Sequence, residues 1–234
     1  MPAVQPPNGV ARIRTAWIVW SIATFTAVVY IGMARIASYA TIARLQLNPS
    51  SVVEVRLFRL FDDTLQFRLS FSGIEREQRP ELGSHGSYDK QDGLLKFQPG
   101  AEVQVLVSMP SSPPLRYEAM PLQGVYRRDQ NVRWMTANLS IQPGVYRWLP
   151  PPSMPITHLH VGFNFVRFEV ASVGEPIAGE TVSLFVDPPL GFKIARAKVA
   201  WLWFGLLWPI FLVAQILWAV CLCPGGLRRR EAPT

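Results

Sequence analysis

Two long apolar runs, one near each end of the chain, dominate its hydrophobic pattern. Residues 15–34 and 199–223 contain no Asp, Glu, Lys, Arg or His. An α-helix rises about 1.5 Å per residue, so roughly 20 apolar residues cross the hydrocarbon core of a bilayer, which is about 30 Å thick. The pattern therefore predicts a protein that spans a membrane twice.

Between these runs, apolar and polar residues alternate, which is the period of a β-strand with one buried face. The alternation is clearest at 64–71, where Leu65, Phe67, Leu69 and Phe71 share one face. Similar patterns predict strands at 52–61, 103–109, 115–120, 132–141, 144–149, 157–170 and 181–186.

The strand predicted at 157–170 changes its apolar face along its length. Its apolar side chains lie at odd-numbered positions up to Phe165 and at even-numbered positions from Val166 onward. A β-bulge inserts one extra residue and moves the following side chains to the other face. We therefore expect a bulge near Phe165.

About eight short strands without an interior helical pattern predict an all-β domain. The architecture that we expect is an antiparallel β-sandwich, immunoglobulin-like in the broad sense. The cysteine pair and tryptophan that mark a true immunoglobulin domain are absent from the strands.

Changes in the pattern also predict the segment boundaries. Apolar residues from Ile36 to Leu47 recur at helical spacing, so the first helix is expected to continue outside the membrane. The predicted segments are a cytoplasmic tail at 1–14, a transmembrane helix with an extramembrane extension at 15–44, a periplasmic β-domain at 45–192, a second transmembrane helix with a basic and aromatic start at 193–223, and a cytoplasmic tail at 224–234.

Charges beside the apolar runs predict the orientation. Arg12 and Arg14 precede the first run and three arginines at 228–230 follow the second, which favours cytoplasmic termini. Basic residues also lie at the domain ends of both runs, but long domains translocate largely regardless of their charge. In an alternative reading the first run is a signal peptide cleaved near 38–40, which leaves the domain in the same compartment.

Charge and cysteine content indicate the cellular compartment in which the protein is expected. The formal charge is +7, but the basic residues are spread along the chain, so nucleic acid is not an expected partner. Both cysteines, Cys221 and Cys223, lie at the end of the second run, so the β-domain contains no disulfide. An extracytoplasmic domain without disulfides is typical of a bacterial periplasm, and the sequence predicts a protein of the inner membrane.

The sequence contains no recognisable catalytic signature. The G-x-S-x-G, P-loop, H-E-x-x-H and C-x-x-C motifs are absent, so we expect a non-enzymatic protein without a cofactor. His158 and His160 share one strand face, but two ligands do not make a metal site. We expect them to face solvent.

Two segments are candidates for a binding surface. The charged segment 73–93 includes Arg76 and Arg79, and a loop of this length is often functional. The second candidate, 146–155, combines aromatic and sulfur-containing side chains with four prolines, and its named residues are Tyr146, Trp148 and Met154. Such a rigid segment suits a protein, a glycan or lipid headgroups. Alternatively, Trp148 closes the bottom of the domain.

The second apolar run contains two candidates for helix–helix contact. Gln215 is a polar amide deep in the run, where it gains from an interhelical hydrogen bond. Pro209 is expected to kink the helix.

These features predict an inner-membrane protein whose periplasmic domain binds another envelope component as an accessory or scaffold subunit. Its expected partners are the bilayer and an envelope protein. The alternatives are a sensor or receptor for a small molecule or glycan, and a membrane-bound immunity protein.

Overall fold

The structure is a computed structural model of the 234-residue chain. It describes residues 8–72, 79–84, 88–89, 94–96, 98–110, 112–121, 125–127, 130–137, 139–142, 145–148, 155–192 and 195–223. The chain divides into a helical unit, Met1–Ser38 with Pro189–Thr234, and a β-unit, Tyr39–Pro188.

The helical unit contains the two apolar runs. Helix α1 is Asn8–Ala37, and a 3-10 helix, Ala200–Leu207, leads into helix α2, Trp208–Leu222. Two stretches, Arg14–Ala37 and Ala200–Leu222, are long and apolar enough to span a membrane. The prediction of two such helices is confirmed.

The β-unit is built almost entirely from strands. Its strands are β1 Thr41–Gln46, β2 Val52–Arg59, β3 Asp63–Thr64, β4 Phe67–Ser72, β5 Gly83–Ser84, β6 Tyr88–Asp89, β7 Leu94–Lys96, β8 Gln98–Pro99, β9 Val103–Met109, β10 Ser112–Ala119, β11 Val125–Arg127, β12 Gln130–Thr136, β13 Leu139–Gln142, β14 Val145–Trp148, β15 His158–Leu159, β16 Gly162–Val173 and β17 Thr181–Val186. Two short 3-10 helices, Pro80–Leu82 and Glu175–Ile177, lie between strands.

Eight of these strands form one continuous antiparallel path that is nearly barrel-like. Its order is β1-β17-β4-β12-β10-β9-β16-β2, and β11 pairs with β12 beside it. The two strands at the ends of the path, β1 and β2, follow each other in sequence. An antiparallel β-rich domain between two apolar helices is thus confirmed. The immunoglobulin-like sandwich is not confirmed, because the strands follow one path.

Smaller ladders accompany this path. Strands β13, β14, β7 and β6 form a four-stranded sheet, while β15 pairs with β3 and β5 pairs with β8.

The alternating side chains of the long strands form one apolar core. In β9 every second residue, from Val103 to Met109, is buried, as the spacing predicts. Phe67, Phe71 and Phe168 are the largest apolar side chains that are almost completely enclosed. Rings of Phe67 and Phe168 lie 5.0 Å apart in an edge-to-face arrangement.

Arg133 is the most deeply buried charged residue that the structure describes in the same unit. Arg133 is only 1% exposed, and its guanidinium donates to the carbonyl oxygens of Ala101, Ala119 and Met120 at 2.6, 3.0 and 2.8 Å. It thereby bonds β12 to the segments that precede β9 and end β10. Burial of such a group is tolerated when its donors are satisfied.

The predicted extension of the first helix is wrong. Helix α1 ends at Ala37, and residues 41–46 form β1. Thr41 pairs with Val186 and Gln46 pairs with Thr181 across an antiparallel ladder. This pairing with a distant strand overrides a local helical spacing, which is a weak signal over so short a segment.

The predicted bulge near Phe165 is also wrong. The register between β16 and β2 runs without a shift from Gly162 to Glu169. A shift occurs later, between Val170 and Ser172, on the side of β9. The apolar side chains of Phe163 and Phe165 therefore lie on the outer face of the sheet, opposite the buried Val166 and its even-numbered neighbours.

Candidate binding surface

The outer face of β2 and β16 carries exposed aromatic side chains. Phe58 is 40% exposed, Phe163 58% and Phe165 60%. Phe58 and Phe163 are register partners, and their rings lie 5.0 Å apart in an edge-to-face arrangement. We call these three residues, together with Arg56, the aromatic surface.

Arg56 joins the three rings into one surface. Its guanidinium carbon lies 3.8 Å from the centroid of the Phe163 ring and 5.7 Å from that of Phe165. A cation held over an aromatic face is attracted by the ring quadrupole, at about 0.5–1 kcal/mol on an exposed surface. This contact places the charged group of Arg56 directly over an exposed ring.

A groove borders the aromatic surface. It encloses about 420 Å³ and is lined by Glu54, Ser108, Met109, Pro110, Phe165, Val166 and Arg167. Glu54 and Arg167 are register partners across β2 and β16, so both charges stand at the groove. Arg167 also donates to Glu169 at 3.3 Å. Aromatic side chains, Met and Arg are the residue types enriched in protein interfaces.

Sequence reasoning missed this surface. The alternating pattern predicts that Phe163 and Phe165 lie on the core face. A bulge would then bring Val166 to the same face. The available signal was that β16 is apolar at consecutive positions from Phe165 to Val166. A strand that is apolar on both faces either has both faces buried or leaves one apolar face exposed.

Of the predicted loop residues, Arg79 has the best-defined surroundings. Its guanidinium donates to Glu180 at 2.7 and 3.2 Å, to Glu81, and to the carbonyl of Ser72 at 2.7 Å. The hydrogen bonds that Arg79 donates to Glu180 raise the pKa of Arg79, against the opposing effect of burial. Burial raises the pKa of Glu81, but hydrogen bonds from its own backbone and from Arg79 lower it overall. Arg79 therefore links the end of β4, at Ser72, to the residue that precedes β17, Glu180.

The other predicted loop residues lie elsewhere. Tyr146 and Trp148 belong to β14, which pairs with β13 and β7 in the four-stranded sheet. Arg76 and Met154 lie outside the described residues.

The predicted helix contacts lie in the helical unit. The carbonyl oxygen of the Gln215 side chain accepts a hydrogen bond from Thr24 at 3.0 Å, and its backbone carbonyl accepts from Trp20 at 3.2 Å. Pro209 stands in the first turn of α2, directly after the 3-10 helix. A proline there lacks only an N–H that has no helical partner, so it is tolerated where α2 begins.

The two histidines that share the 157–170 segment are exposed. His160 lies 3.9 Å from Asp62. The His160 side chain is 68% exposed and that of Asp62 is 62% exposed. Among the residues that the structure describes, no group of three or more His, Cys, Asp or Glu side chains is placed to hold a metal ion.

Strand β10 carries a partly buried carboxyl group, that of Glu118. Glu118 accepts from Gln104 at 3.4 Å through one oxygen, and its second oxygen is buried without a hydrogen-bond partner among the described residues. Burial and the neighbouring charge of Glu102 raise the pKa of Glu118, although Arg116 acts in the opposite direction.

Comparisons with known proteins give little beyond this geometry. No family model matches the sequence, and no curated protein matches it. A solved structure with some likeness is GEBA250068378 from Sulfurospirillum deleyianum, which is 14% identical, with a TM-score of 0.40 over 64% of this chain and 97% of that one. A likeness of this size carries no conclusion about fold or function.

Proposed function

We propose that the chain is a non-enzymatic inner-membrane protein whose β-unit binds a protein partner of the bacterial envelope. In this proposal α1 and the segment Ala200–Leu222 span the membrane, both termini are cytoplasmic and the β-unit is periplasmic. The protein then serves as an accessory or scaffold subunit of a membrane complex.

The aromatic surface is the observation that carries this proposal. Soluble domains rarely leave several large aromatic side chains together in water, and such patches usually mark an interaction site. Burying an exposed Phe side chain contributes about 1.5–3 kcal/mol. Three of them with an ordered arginine supply enough apolar contact for the centre of an interface.

The helical unit supports a scaffold less directly than the sequence predicted. The interhelical hydrogen bond expected of Gln215 is made within the chain, since its side-chain oxygen accepts from Thr24 of α1. The aromatic surface of the β-unit therefore takes the place of Gln215 as the proposed contact with a partner.

Photo-crosslinking tests the proposal directly. A benzoylphenylalanine at position 165, in the full chain expressed in its native host, is expected to form a discrete adduct with an envelope protein. The matched control is the same probe at Arg44, which is exposed on β1. Adducts of equal yield at both positions, or none at position 165, would overturn the proposal.

A pair of substitutions provides the second test. The double variant F163A/F165A is expected to lower the recovery of that partner in mild detergent by roughly tenfold or more, which corresponds to a loss of 1.4 kcal/mol. The control variant Ile42→Ala removes an apolar side chain that is 59% exposed on β1 and should leave recovery unchanged.

A further inference from the structure

A second cavity lies at one end of the strand path. It encloses about 340 Å³ and is lined by Thr64, Leu65, Gln66, Tyr117, Met120, Trp134, Met135, Thr136, Ala137, Pro155 and Ile156. Its volume is within the range of about 300–1,000 Å³ found for small-molecule sites. The mouths of β-barrels are a preferred place for such sites.

The cavity lies at the end of the β-unit where the chain enters and leaves. Its wall residue Gln66 accepts a hydrogen bond from the backbone N–H of Asp187 at 2.9 Å, one residue before the unit ends at Pro188. Phe67, next to Gln66, and Thr41, where β1 begins, both pair with Val186. Only residues 38–40 separate β1 from α1 along the chain.

The lining is mostly apolar and carries no charge, with Thr64, Gln66, Tyr117 and Thr136 as its polar residues. None of the lining residues is an Asp, Glu, Lys, Arg or His. The hydroxyl of Tyr117 donates to Thr157 at 2.9 Å and accepts from its backbone N–H at 3.3 Å, so that polar group is already occupied. Met120 and Met135 supply flexible thioethers, which adapt to irregular apolar shapes.

A cation stands beside this lining. The guanidinium carbon of Arg68 lies 5.3 Å from the centroid of the Trp134 ring, and Arg68 also pairs with Asp187 at 3.2 Å. A ligand with an apolar tail and an anionic head would place the head near this arginine, whose five N–H donors allow it more partners than Asp187. A glycan gains little from such a lining, because it needs several free polar partners.

We propose that this cavity takes an acyl chain of an anionic membrane phospholipid. The apolar lining contacts the chain, and Arg68 lies near the phosphate. The inference rests on the proposed membrane anchoring, because only residues 38–40 separate β1 from α1 along the chain. It does not rest on the protein partner.

Photoreactive lipid labelling tests this site in the full chain. The protein is reconstituted into phosphatidylglycerol vesicles that contain a phosphatidylglycerol with a diazirine in one acyl chain, and the adducts are mapped by mass spectrometry. Adducts are expected on the lining residues as well as on the two apolar helices. Adducts on the helices alone would overturn the proposal and leave the anchoring intact. Adducts on neither would contradict the anchoring itself.

Two cavity-filling variants sharpen this test. Ala137→Phe and Ile156→Trp each place a larger side chain in the cavity and should lower labelling of the lining at least about fivefold. Ile156 is already 44% exposed, so its replacement does not strain the core. The control Ile42→Trp, on the exposed face of β1, should leave the labelling unchanged. Full labelling in both cavity variants would overturn the proposal.

Discussion

The two units of this chain place their apolar side chains in opposite directions. In α1, Ile22, Phe25 and Val28 are 62%, 71% and 62% exposed. In the β-unit, Phe67 and Phe168 are fully enclosed. The polar groups show the reverse arrangement, since Thr24 and Gln215 bond each other between the helices while Arg44 and Glu54 of the strands face outward.

This contrast is the one expected when the helical unit lies in a bilayer, as proposed, and the β-unit lies in water. Apolar side chains gain nothing from leaving hydrocarbon, so helices in a bilayer bury their polar and small residues instead. A domain in water must enclose its apolar side chains. The aromatic surface departs from this rule with three neighbouring rings, and it is there that we propose binding.

The largest expected effect contrasts two phenylalanines. Phe67→Ala should lower the free energy of unfolding of the β-unit by about 3–5 kcal/mol, because it leaves a cavity in a close-packed core. Phe25→Ala should change stability by less than about 0.5 kcal/mol, because that ring is 71% exposed. Urea unfolding of the full chain in detergent, followed by the signal of the strands, measures both. Equal effects would break the comparison.

A glycine pair tests the packing of the helical unit. A Cβ at Gly205 would lie 2.5 Å from that of Ala34, whereas a Cβ at Gly32 would meet nothing within 4 Å. Gly205→Leu should therefore weaken the contact between the helices by about 1–3 kcal/mol, and Gly32→Leu should not. The detergent denaturation midpoint of the helical unit is the measurement. A Gly32→Leu variant as destabilised as Gly205→Leu would contradict this packing.

The smallest expected effect concerns Glu118 and depends on pH. Because burial raises the pKa of Glu118 in the folded state above its usual value, the folded state keeps its proton over a pH range in which the unfolded state has released it. Its contribution to stability therefore falls as pH rises from the unfolded pKa through the higher folded pKa. Glu118→Gln removes this loss and should stabilise the protein at neutral pH by less than about 1 kcal/mol.

A measurement at acid pH provides the control for this prediction. Below the unfolded pKa the carboxyl is protonated in both states, so the variant and the natural chain should have the same Tm. Thermal melts between pH 4 and 8 follow the difference. A stabilisation by Glu118→Gln that persists unchanged at acid pH would refute the assigned cause.

Local pattern was sufficient for the apolar helices and most of the long strands. A long uncharged apolar run predicts a helix that can lie in hydrocarbon. Alternation of apolar and polar residues predicts which face of a strand is buried. For example, Val103–Met109 has the bounds and the buried face that its spacing predicts. Alternation alone does not distinguish a sandwich from a barrel-like path, because both bury one face of each strand.

What the sequence did not reveal depends on distant partners. β1 exists because it pairs with β17, about 140 residues further along the chain. Arg79 acts as a clamp because Glu180, 101 residues away, reaches it. The aromatic surface arises from the register of β16 against β2, which sets Phe163 beside Phe58. Local spacing carries no information on such pairings.

Cysteine accessibility in intact cells tests the central claim, which is that two membrane-spanning helices hold the β-unit outside the cytoplasm. With Cys221 and Cys223 replaced by Ser, a single cysteine is introduced at Val52, which is 43% exposed on β2, or appended after Thr234. A membrane-impermeant maleimide should label V52C in intact spheroplasts and the appended cysteine only after lysis. Labelling of the appended cysteine before lysis, or protection of V52C until lysis, would contradict the account.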